Sequence, residues 1–205
     1  MRPARRSGFT LLELMVVLVI ISMLAAAFLV VGADVFSASL ETKCHARLQQ
    51  LAVMIEAFRT AEGGYPDDRL PIGLATNSQN AGSEALYIAF FSPKYLGELP
   101  NQDWLVNTDG DQTTRTQTRL GSRDLWEIGD VWGNPIAYFE SLHYADTLPL
   151  IFVAGPEEQD PEEQTVAARR DERTVGYEEP GKFQLISAGE DGLFGTADDL
   201  THYDE

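Results

Sequence analysis

Three aspartates near the C-terminus have types and a spacing that suit a metal site. Asp191, Asp198 and Asp199 lie in one short segment that also contains three glycines. Because glycine lets the backbone turn sharply, the three carboxylates can converge when the segment closes. Ca²⁺ takes about six to eight oxygen ligands, which would come from the aspartates, from water and from the backbone carbonyls of Ala188 or Glu190. The alternative is a solvated acidic turn without a metal.

This acidic loop, residues 187–200, does not follow the EF-hand pattern. Counted from Asp191, an EF-hand loop has Gly at its sixth and Glu at its twelfth position, where this chain has Thr196 and His202. A second acidic segment, residues 107–111, alternates oxygen-bearing side chains but fails the same two positions. The sequence pattern alone does not decide whether residues 107–111 bind a metal.

A single carboxylate, Glu13, stands at the edge of a membrane-length apolar run. Residues 14–33 carry no charge, and a helix of that length spans about 30 Å, the thickness of the hydrocarbon core of a bilayer. A carboxylate beside such a run is costly unless a cation pairs with it. Cleavage between Gly8 and Phe9 would supply that cation, because the new α-amine of Phe9 could pair with Glu13 of a neighbouring subunit.

Two other interpretations account for a basic and apolar N-terminus. A secretory signal peptide has a shorter apolar region and a small-residue cleavage site after it. A plain single-span anchor explains everything except Glu13 and the Gly8-Phe9 junction. In each case the arginines at positions 2, 5 and 6 favour a cytoplasmic N-terminus and export of the rest of the chain.

The segment from Gly8 to Leu14 resembles the start of type IV pilins and type II secretion pseudopilins. The shared pattern is a basic leader, Gly-Phe, Thr-Leu-Leu-Glu and an uncharged span. The resemblance implies that a prepilin peptidase cuts between Gly8 and Phe9 and methylates the new amine of Phe9. It also implies that Glu13 guides docking in a filament of like subunits, together with minor pseudopilins and an inner-membrane assembly platform.

Composition favours an exported acidic domain. The 205 residues carry a formal net charge of −17, and removal of residues 1–8 with their three arginines would bring it to −20. Such a charge disfavours binding to nucleic acid and to anionic lipid, and the acidic side chains could serve as ligands for Ca²⁺.

Cys44 is the only cysteine, which excludes a disulfide within the chain. We expect Cys44 to be a packed apolar residue, with a bridge between chains as the alternative.

A long helix must position the N-terminal residues. Beyond the apolar run, hydrophobic residues recur every three to four positions and predict one buried stripe: Phe36, Leu40, Cys44, Leu48, Leu51, Ile55 and Phe58. Charged residues such as Arg47 fall on the opposite face. The pair Gly63-Gly64 ends the pattern. We expect either one helix over residues 9–62 or two helices with a hinge near Gly32.

The sequence divides into four parts: a leader peptide at 1–8, a transmembrane and polymerisation helix at 9–33, its amphipathic continuation at 34–62, and a periplasmic globular head at 63–205. Within the head we predict a short helix over 83–91 with Ser83 as its N-cap. Residues 100–123 are predicted to be an exposed loop or an irregular hairpin. The acidic insertion 156–181 is predicted to be a solvated loop, with a docking surface for a basic partner as the alternative.

Strand patterns complete the head. Three or four antiparallel strands are predicted across the helix stripe, at residues 125–128, 136–139, 148–153 and 182–186. The fold class is therefore α+β and pilin-like: a long N-terminal helix packed on a small antiparallel sheet, with a C-terminal calcium loop.

Two short motifs resemble the major pseudopilin of type II secretion systems. They are the turn Asp130–Pro135, which contains Trp-Gly-Asn-Pro, and the acidic loop. The resemblance implies a Ca²⁺ site with these ligands: Asp191, Asp198, Asp199 and carbonyls near Ala188 and Glu190. The insertions at 100–123 and 156–181 depart from the compact head of that subfamily, so the choice between a major and a minor subunit stays open.

The sequence predicts a protein that is not an enzyme. Its three histidines are scattered, and it has no paired cysteines, nucleophile elbow or phosphate-binding glycine loop. We expect a single-pass subunit of the inner membrane, with a periplasmic head, that polymerises into a pseudopilus and drives protein export. The alternatives are a type IV pilin of a surface fibre, an anchored calcium-binding module that does not polymerise, and a tethered hydrolase.

Overall fold

The computed structural model describes residues 10–74, 76–152, 162–171 and 173–204. Within these, the side chains of residues 25–36, 151, 152 and 162 are outside the description. The predicted leader, the Gly8-Phe9 junction and residues 156–161 of the acidic insertion therefore lie outside the described residues. The chain divides into two compact units, one through Leu40 and one from Glu41 onward.

The first unit consists of the N-terminal part of helix α1, which runs over Leu11–Glu62. Gly63 follows with a φ of 85°, a conformation that favours glycine, so the predicted end of the helix is confirmed. Within the described part of the chain, none of the helices combines the length and apolarity needed to cross a membrane. The predicted span at 9–33 includes residues and side chains outside that description, and it stays a prediction.

The second unit is an α+β domain, as predicted. After α1, the described residues form helix α2 and seven short strands: α2 Ala81–Phe91, β1 Leu105–Val106, β2 Glu127–Ile128, β3 Ala137–Glu140, β4 Thr147–Phe152, β5 Glu162–Ala167, β6 Phe183–Ser187 and β7 Leu200–Thr201. Single 3₁₀ turns occupy Gln102–Trp104 and Ser141–His143. All pairings are antiparallel, in the orders β1-β2, β3-β6-β7 and β4-β5.

The predicted strands exist, but they do not form one sheet. β3 and β6 pair from Ala137↔Ile186 to Glu140↔Phe183, and β7 joins the other edge of β6. β2 pairs instead with β1, which lies in the region predicted to be an exposed loop or an irregular hairpin. The prediction of a single small sheet is therefore wrong, because short strands pair with whichever neighbour the turns bring beside them.

The acidic insertion contains strand β5, which is a correction to the predicted loop. β5 pairs with β4 over six residues, from Thr147↔Ala167 to Phe152↔Glu162. Val166 is buried while its neighbours Thr165 and Ala167 are exposed, so the strand keeps the period of two that a half-buried strand needs. The strand could not be predicted from its polar composition. Only one of its two faces is covered, so few of its residues need to be apolar.

Helix α2 begins two residues earlier than predicted. Asn80 precedes its first residue in a left-handed conformation with no side-chain cap hydrogen bond, so the assignment of Ser83 as the N-cap is wrong. Ser83 is buried, and its hydroxyl accepts the backbone amide of Ile128 at 2.8 Å and donates to the Ile128 carbonyl at 3.2 Å. Ser83 thus attaches α2 to strand β2.

The predicted helix stripe forms the core of the second unit, together with α2 and the β3-β6-β7 sheet. Cys44, Leu48, Leu51 and Ile55 are fully buried, and Met54 joins them. They pack in one cluster with residues of α2 and of the sheet: Leu86, Tyr87, Phe90, Phe91, Tyr138, Phe183 and Leu185. Burial of each large side chain contributes about 1.5–3 kcal/mol, so this stripe holds the helix on the domain.

The buried position of Cys44 predicts a thiol that does not react in the native protein. Burial raises the pKa of Cys44 to about 11, and the thiolate is the reactive form. At pH 8 we expect iodoacetamide to label the native full chain at least about 100-fold more slowly than the chain in urea. Labelling is followed by intact mass spectrometry, where one cysteine gives one mass step. Similar rates in both conditions, or a covalent dimer on a non-reducing gel, would contradict the packed assignment.

Candidate functional site

Thr10 and Glu13 form a reciprocal cap at the start of α1. The backbone amide of Thr10 donates to Glu13 Oε2 at 2.9 Å, and the amide of Glu13 donates to Thr10 Oγ1 at 3.2 Å. This is the capping-box arrangement, and it places a carboxylate at the positive end of the helix dipole. Glu13 therefore has a partner within its own chain, which the sequence signal Thr10-x-x-Glu13 could have indicated.

The apolar residues that follow Glu13 are exposed around the whole helix. Every large hydrophobic side chain from Leu11 to Leu24 is at least 45% exposed. The one hydroxyl among them, Ser22, donates to the carbonyl of Leu18. A surface with no polar face can be covered by lipid or by apolar helices, which is the chemistry that the sequence predicts for this segment.

The turn Asp130–Pro135 is organised by its first residue. Asp130 is buried, and its Oδ1 accepts the backbone amides of Trp132 at 2.9 Å and Asn134 at 3.0 Å. Its Oδ2 accepts the hydroxyl of Ser187 at 2.7 Å. Burial raises the pKa of Asp130, although these hydrogen bonds oppose the shift. The two motifs that resemble a pseudopilin head are thus joined, because Ser187 ends β6 and begins the acidic loop.

Arg47 connects the same turn to helix α1. Its Nη1 donates to the carbonyls of Gly129 at 2.6 Å and Asp130 at 2.5 Å, and its guanidinium lies 5.1 Å from the ring centre of Trp104. The prediction that Arg47 lies on the face opposite the buried stripe, away from the domain, is therefore wrong. Its long side chain reaches from the edge of the buried stripe to two backbone carbonyls at the start of the turn.

The acidic loop is closed by its own aspartates. Asp198 Oδ2 accepts the backbone amide of Asp191 at 3.0 Å, and Asp198 Oδ1 accepts the hydroxyl of Thr196. Asp191 Oδ1 accepts the amide of Leu193, and Asp199 Oδ2 accepts the amide of Gly195. The predicted ligands therefore share one closed loop, and they are held there by the loop's own donors.

The predicted calcium ligands fit a cation only in part. Burial opposes the shift, but hydrogen bonds from Thr196 and the Asp191 amide lower the pKa of Asp198, so its carboxylate is charged. Asp199 Oδ1 is buried with no partner among the described residues, an orphan oxygen that a cation would satisfy. The three aspartates do not, however, bring one oxygen each within 4.8 Å of the others. The calcium site at Asp191, Asp198, Asp199, Ala188 and Glu190 stays a prediction.

Two buried glutamates, Glu84 and Glu127, were not predicted from the sequence as site residues. Glu84 in α2 and Glu127 in β2 are both 0% exposed. Burial, followed by the charges of Asp111 and Asp109, raises the pKa of Glu84 to about 10. Burial and Asp109 raise the pKa of Glu127 to about 8. Glu84 is the one charged residue between Arg69 and Lys94, a signal that could have marked it, whereas Glu127 stands between Asp124 and Asp130 and has no such signal.

Comparison with known proteins gives one match. Residues 3–29 match the model of the prokaryotic N-terminal methylation motif. No curated protein and no solved structure matches the chain at a significant level. The motif supports a type IV pilin-like or pseudopilin-like N-terminus, typical of membrane-anchored proteins that a prepilin peptidase processes and that assemble into filaments. It does not extend into the second unit, where the acidic loop lies.

The geometry of the acidic loop predicts different effects of alanine at two of its glycines. Gly189 and Gly195 both have positive φ, of 70° and 85°, so alanine costs about 1–2 kcal/mol of backbone strain at either. A Cβ at Gly189 would also lie 2.3 Å from the carbonyl oxygen of Asp198, whereas one at Gly195 meets nothing within 4 Å. We expect Gly189→Ala to lower the free energy of unfolding by a further 1–3 kcal/mol or so.

Equilibrium urea unfolding of the full chain in detergent, followed by tryptophan fluorescence, measures both glycine variants. Gly195→Ala is the matched control, since it carries the strain without the clash. Equal losses of stability in the two variants would show that the loop does not close on Gly189 as described.

Proposed function

We propose that this chain is a pseudopilin subunit that polymerises into a periplasmic pseudopilus and drives protein export by a type II secretion system. The observation that carries the proposal is the methylation motif at residues 3–29. It is supported by the capped helix start at Thr10 and Glu13 and by the apolar surface that follows. In this proposal the subunit has no catalytic activity of its own.

Assembly begins with processing of the N-terminus. A prepilin peptidase cleaves between Gly8 and Phe9 and methylates the new amine, which leaves Glu13 as the fifth residue of the mature chain. The Glu13 carboxylate that caps its own helix then pairs with the α-amine of Phe9 on a neighbouring subunit. Because both charges stand beside apolar surface, where water does not screen them, the pairing sets the axial register of adjacent helices.

The second unit forms the periplasmic head that coats the filament. Its acidic loop binds Ca²⁺ through Asp191, Asp198 and Asp199, with carbonyls of Ala188 and Glu190. The orphan oxygen of Asp199 supports this role, and so does the closure of the loop by Asp198. A bound cation would neutralise part of the acidic surface, so that neighbouring heads can approach.

A surface fibre of the type IV pilin class is the second candidate, because the methylation motif is shared by both branches. The acidic loop favours the secretion branch. An anchored calcium-binding module that never polymerises is the third, and the state of the N-terminus separates it from the other two. A mature protein that begins at methylated Phe9 fits a polymerising subunit, whereas an intact Met1 fits the plain anchor.

The variant Glu13→Ala tests the docking role. We expect it to insert into the membrane as the unaltered chain does, because the apolar run is intact, and to lose most of its filament yield. Filaments are measured by shearing and sedimentation, and the N-terminus by mass spectrometry. Normal filament yield from Glu13→Ala would rule out the docking role.

The control for this experiment is Thr10→Ala. It removes the hydroxyl that accepts the Glu13 amide, which costs about 1 kcal/mol of helix capping, but keeps the carboxylate. We expect Thr10→Ala to assemble nearly as well as the unaltered chain. Should both variants fail equally, helix capping rather than pairing between subunits would explain the phenotype.

The calcium loop predicts a cation-dependent gain in stability. A cation present at about 100 times its dissociation constant stabilises the folded state by about 2.7 kcal/mol, a rise in Tm of about 5 °C or more for a domain of this size. We expect the double variant Asp198→Asn, Asp199→Asn to lose this contribution of the loop, so that CaCl₂ raises its Tm by less than it raises the Tm of the unaltered chain. Asparagine keeps one acceptor oxygen at each position, which can still take the amide of Asp191 or of Gly195, so the loop itself should stay closed.

Thermal unfolding of the full chain in detergent, with CaCl₂ or EDTA, measures the response. Asp171→Asn is the matched control, because Asp171 also accepts a turn amide, that of Arg173, but lies outside the acidic loop. A calcium response that is the same in the double variant, the control and the unaltered chain would remove the loop site.

A further inference from the structure

A second group of carboxylates converges where α2, β2 and residues 107–111 meet. Glu84 lies in the first turn of α2, Glu127 in β2, and Asp109 in the segment that follows β1. One carboxylate oxygen of each lies within 4.8 Å of the other two. We call Glu84, Asp109 and Glu127 the glutamate cluster, and it shares no residue with the acidic loop. Its three carboxylates lie within 4.8 Å of one another, which those of Asp191, Asp198 and Asp199 do not.

Glu84 lacks any partner for its carboxylate. It is 0% exposed, and neither of its oxygens has a hydrogen-bond partner among the described residues. Across the described part of the chain, no ion pair involves Glu84, Asp109 or Glu127. Buried carboxylates are normally paired or bound to a metal, because water no longer solvates them. A cation among the three would supply the missing partner.

The other two carboxylates are held in place by donors from outside the cluster. Glu127 Oε1 accepts the side-chain amide of Asn80 at 2.7 Å, and both its oxygens accept the backbone amide of Thr108 at 3.2 Å. Asp109 Oδ2 accepts the side-chain amide of Asn77 at 2.9 Å. Such supporting hydrogen bonds orient metal ligands in proteins, whereas Glu84 is left with its oxygens directed at the cluster.

The chemistry of the donors selects a hard cation. Asn107 Oδ1 is shielded from solvent without a partner among the described residues, and the carboxylate oxygens of Asp111 are shielded as well. The group contains only oxygen donors, with no histidine or cysteine, and such sites suit Ca²⁺ or Mg²⁺. Several carboxylates on three separate elements favour Ca²⁺, which accepts irregular and bidentate coordination, over Mg²⁺, which demands an octahedron.

We propose that Glu84, Asp109 and Glu127 bind one Ca²⁺, with Asn107 and Asp111 as further oxygen donors. The ion would join α2, β2 and residues 107–111, and it would balance negative charge inside the second unit. The site goes beyond the proposed function, since it would act in a single chain whether or not the chain polymerises. It is also independent of the acidic loop.

The other convergent group, Asp67, Asp68 and His143, already has its partners. Asp68 Oδ1 pairs with His143 Nδ1, and Asp68 Oδ2 accepts the backbone amide of Glu140 at 2.8 Å. Asp67 is largely exposed to solvent. Nothing in that group requires a cation, which distinguishes it from the glutamate cluster.

Calcium titration of the full chain in detergent tests the proposal. The background is the acidic-loop variant Asp198→Asn, Asp199→Asn, so that binding reports on the glutamate cluster alone. After removal of metal with EDTA, isothermal titration with CaCl₂ is expected to give one site per chain. Glu84→Gln in this background should weaken binding at least about tenfold, since loss of even a supporting contact to a ligand costs that much. Exposed Glu98→Gln is the matched control and should bind as the background does.

A second variant covers the case in which Glu84→Gln fails to fold. Asp109→Asn alters a partly exposed residue of the loop, and it should weaken calcium binding while its circular dichroism in EDTA matches that of the background. If the background binds no Ca²⁺, or if both variants bind it as tightly as the background, the proposal is wrong. Equal affinity for MgCl₂ would overturn the choice of Ca²⁺. None of these outcomes depends on filament assembly, which is measured separately with the variant Glu13→Ala.

Discussion

The buried carboxylate of Asp130 is the constraint around which the second unit is arranged. Its two oxygens accept backbone amides of its own turn and the hydroxyl at the end of β6. Its backbone carbonyl accepts Arg47 of α1. One residue therefore sets the turn, the origin of the acidic loop and the attachment of the helix. Because the group is shielded from water, each of these hydrogen bonds is stronger than it would be at the surface.

Helix α1 presents two different surfaces in its two units. From Leu11 to Leu24 in the first unit the large apolar side chains are exposed on all sides of the helix, while in the second unit a single stripe is buried. The difference follows from the sequence, since charged residues return only after the apolar run. A helix of the first kind can be covered only by other apolar material, and one of the second kind binds a domain. A single helix thus carries an exposed apolar surface in one part and the stripe that holds the domain in the other.

The carboxylates of the described residues differ in the groups that surround them. Some carboxylates, such as Asp198, are stabilised by donors of their own loop. Others, above all Glu84, are enclosed without donors. The same residue type therefore serves as a structural acceptor in one place and as a candidate cation ligand in another. What separates the two roles is the supply of N–H and O–H groups around each carboxylate, which depends on packing and not on residue type.

Local patterns allowed the main elements to be predicted from the sequence: the helix stripe from Cys44 to Phe58, the helix end at Gly63, and the strands β3, β4 and β6. The N-terminal motif was equally readable, because a basic leader, a junction and an apolar run are all local in sequence, although the cap of Thr10 and Glu13 was not predicted. The tertiary structure alone decided that polar β5 pairs with β4, that Arg47 reaches the Asp130 turn, and that Glu84, Asp109 and Glu127 converge. The physical reason is that pairing, burial and the distance between charges depend on residues that are 10 to more than 80 positions apart in the chain, and no local pattern encodes which of them will meet.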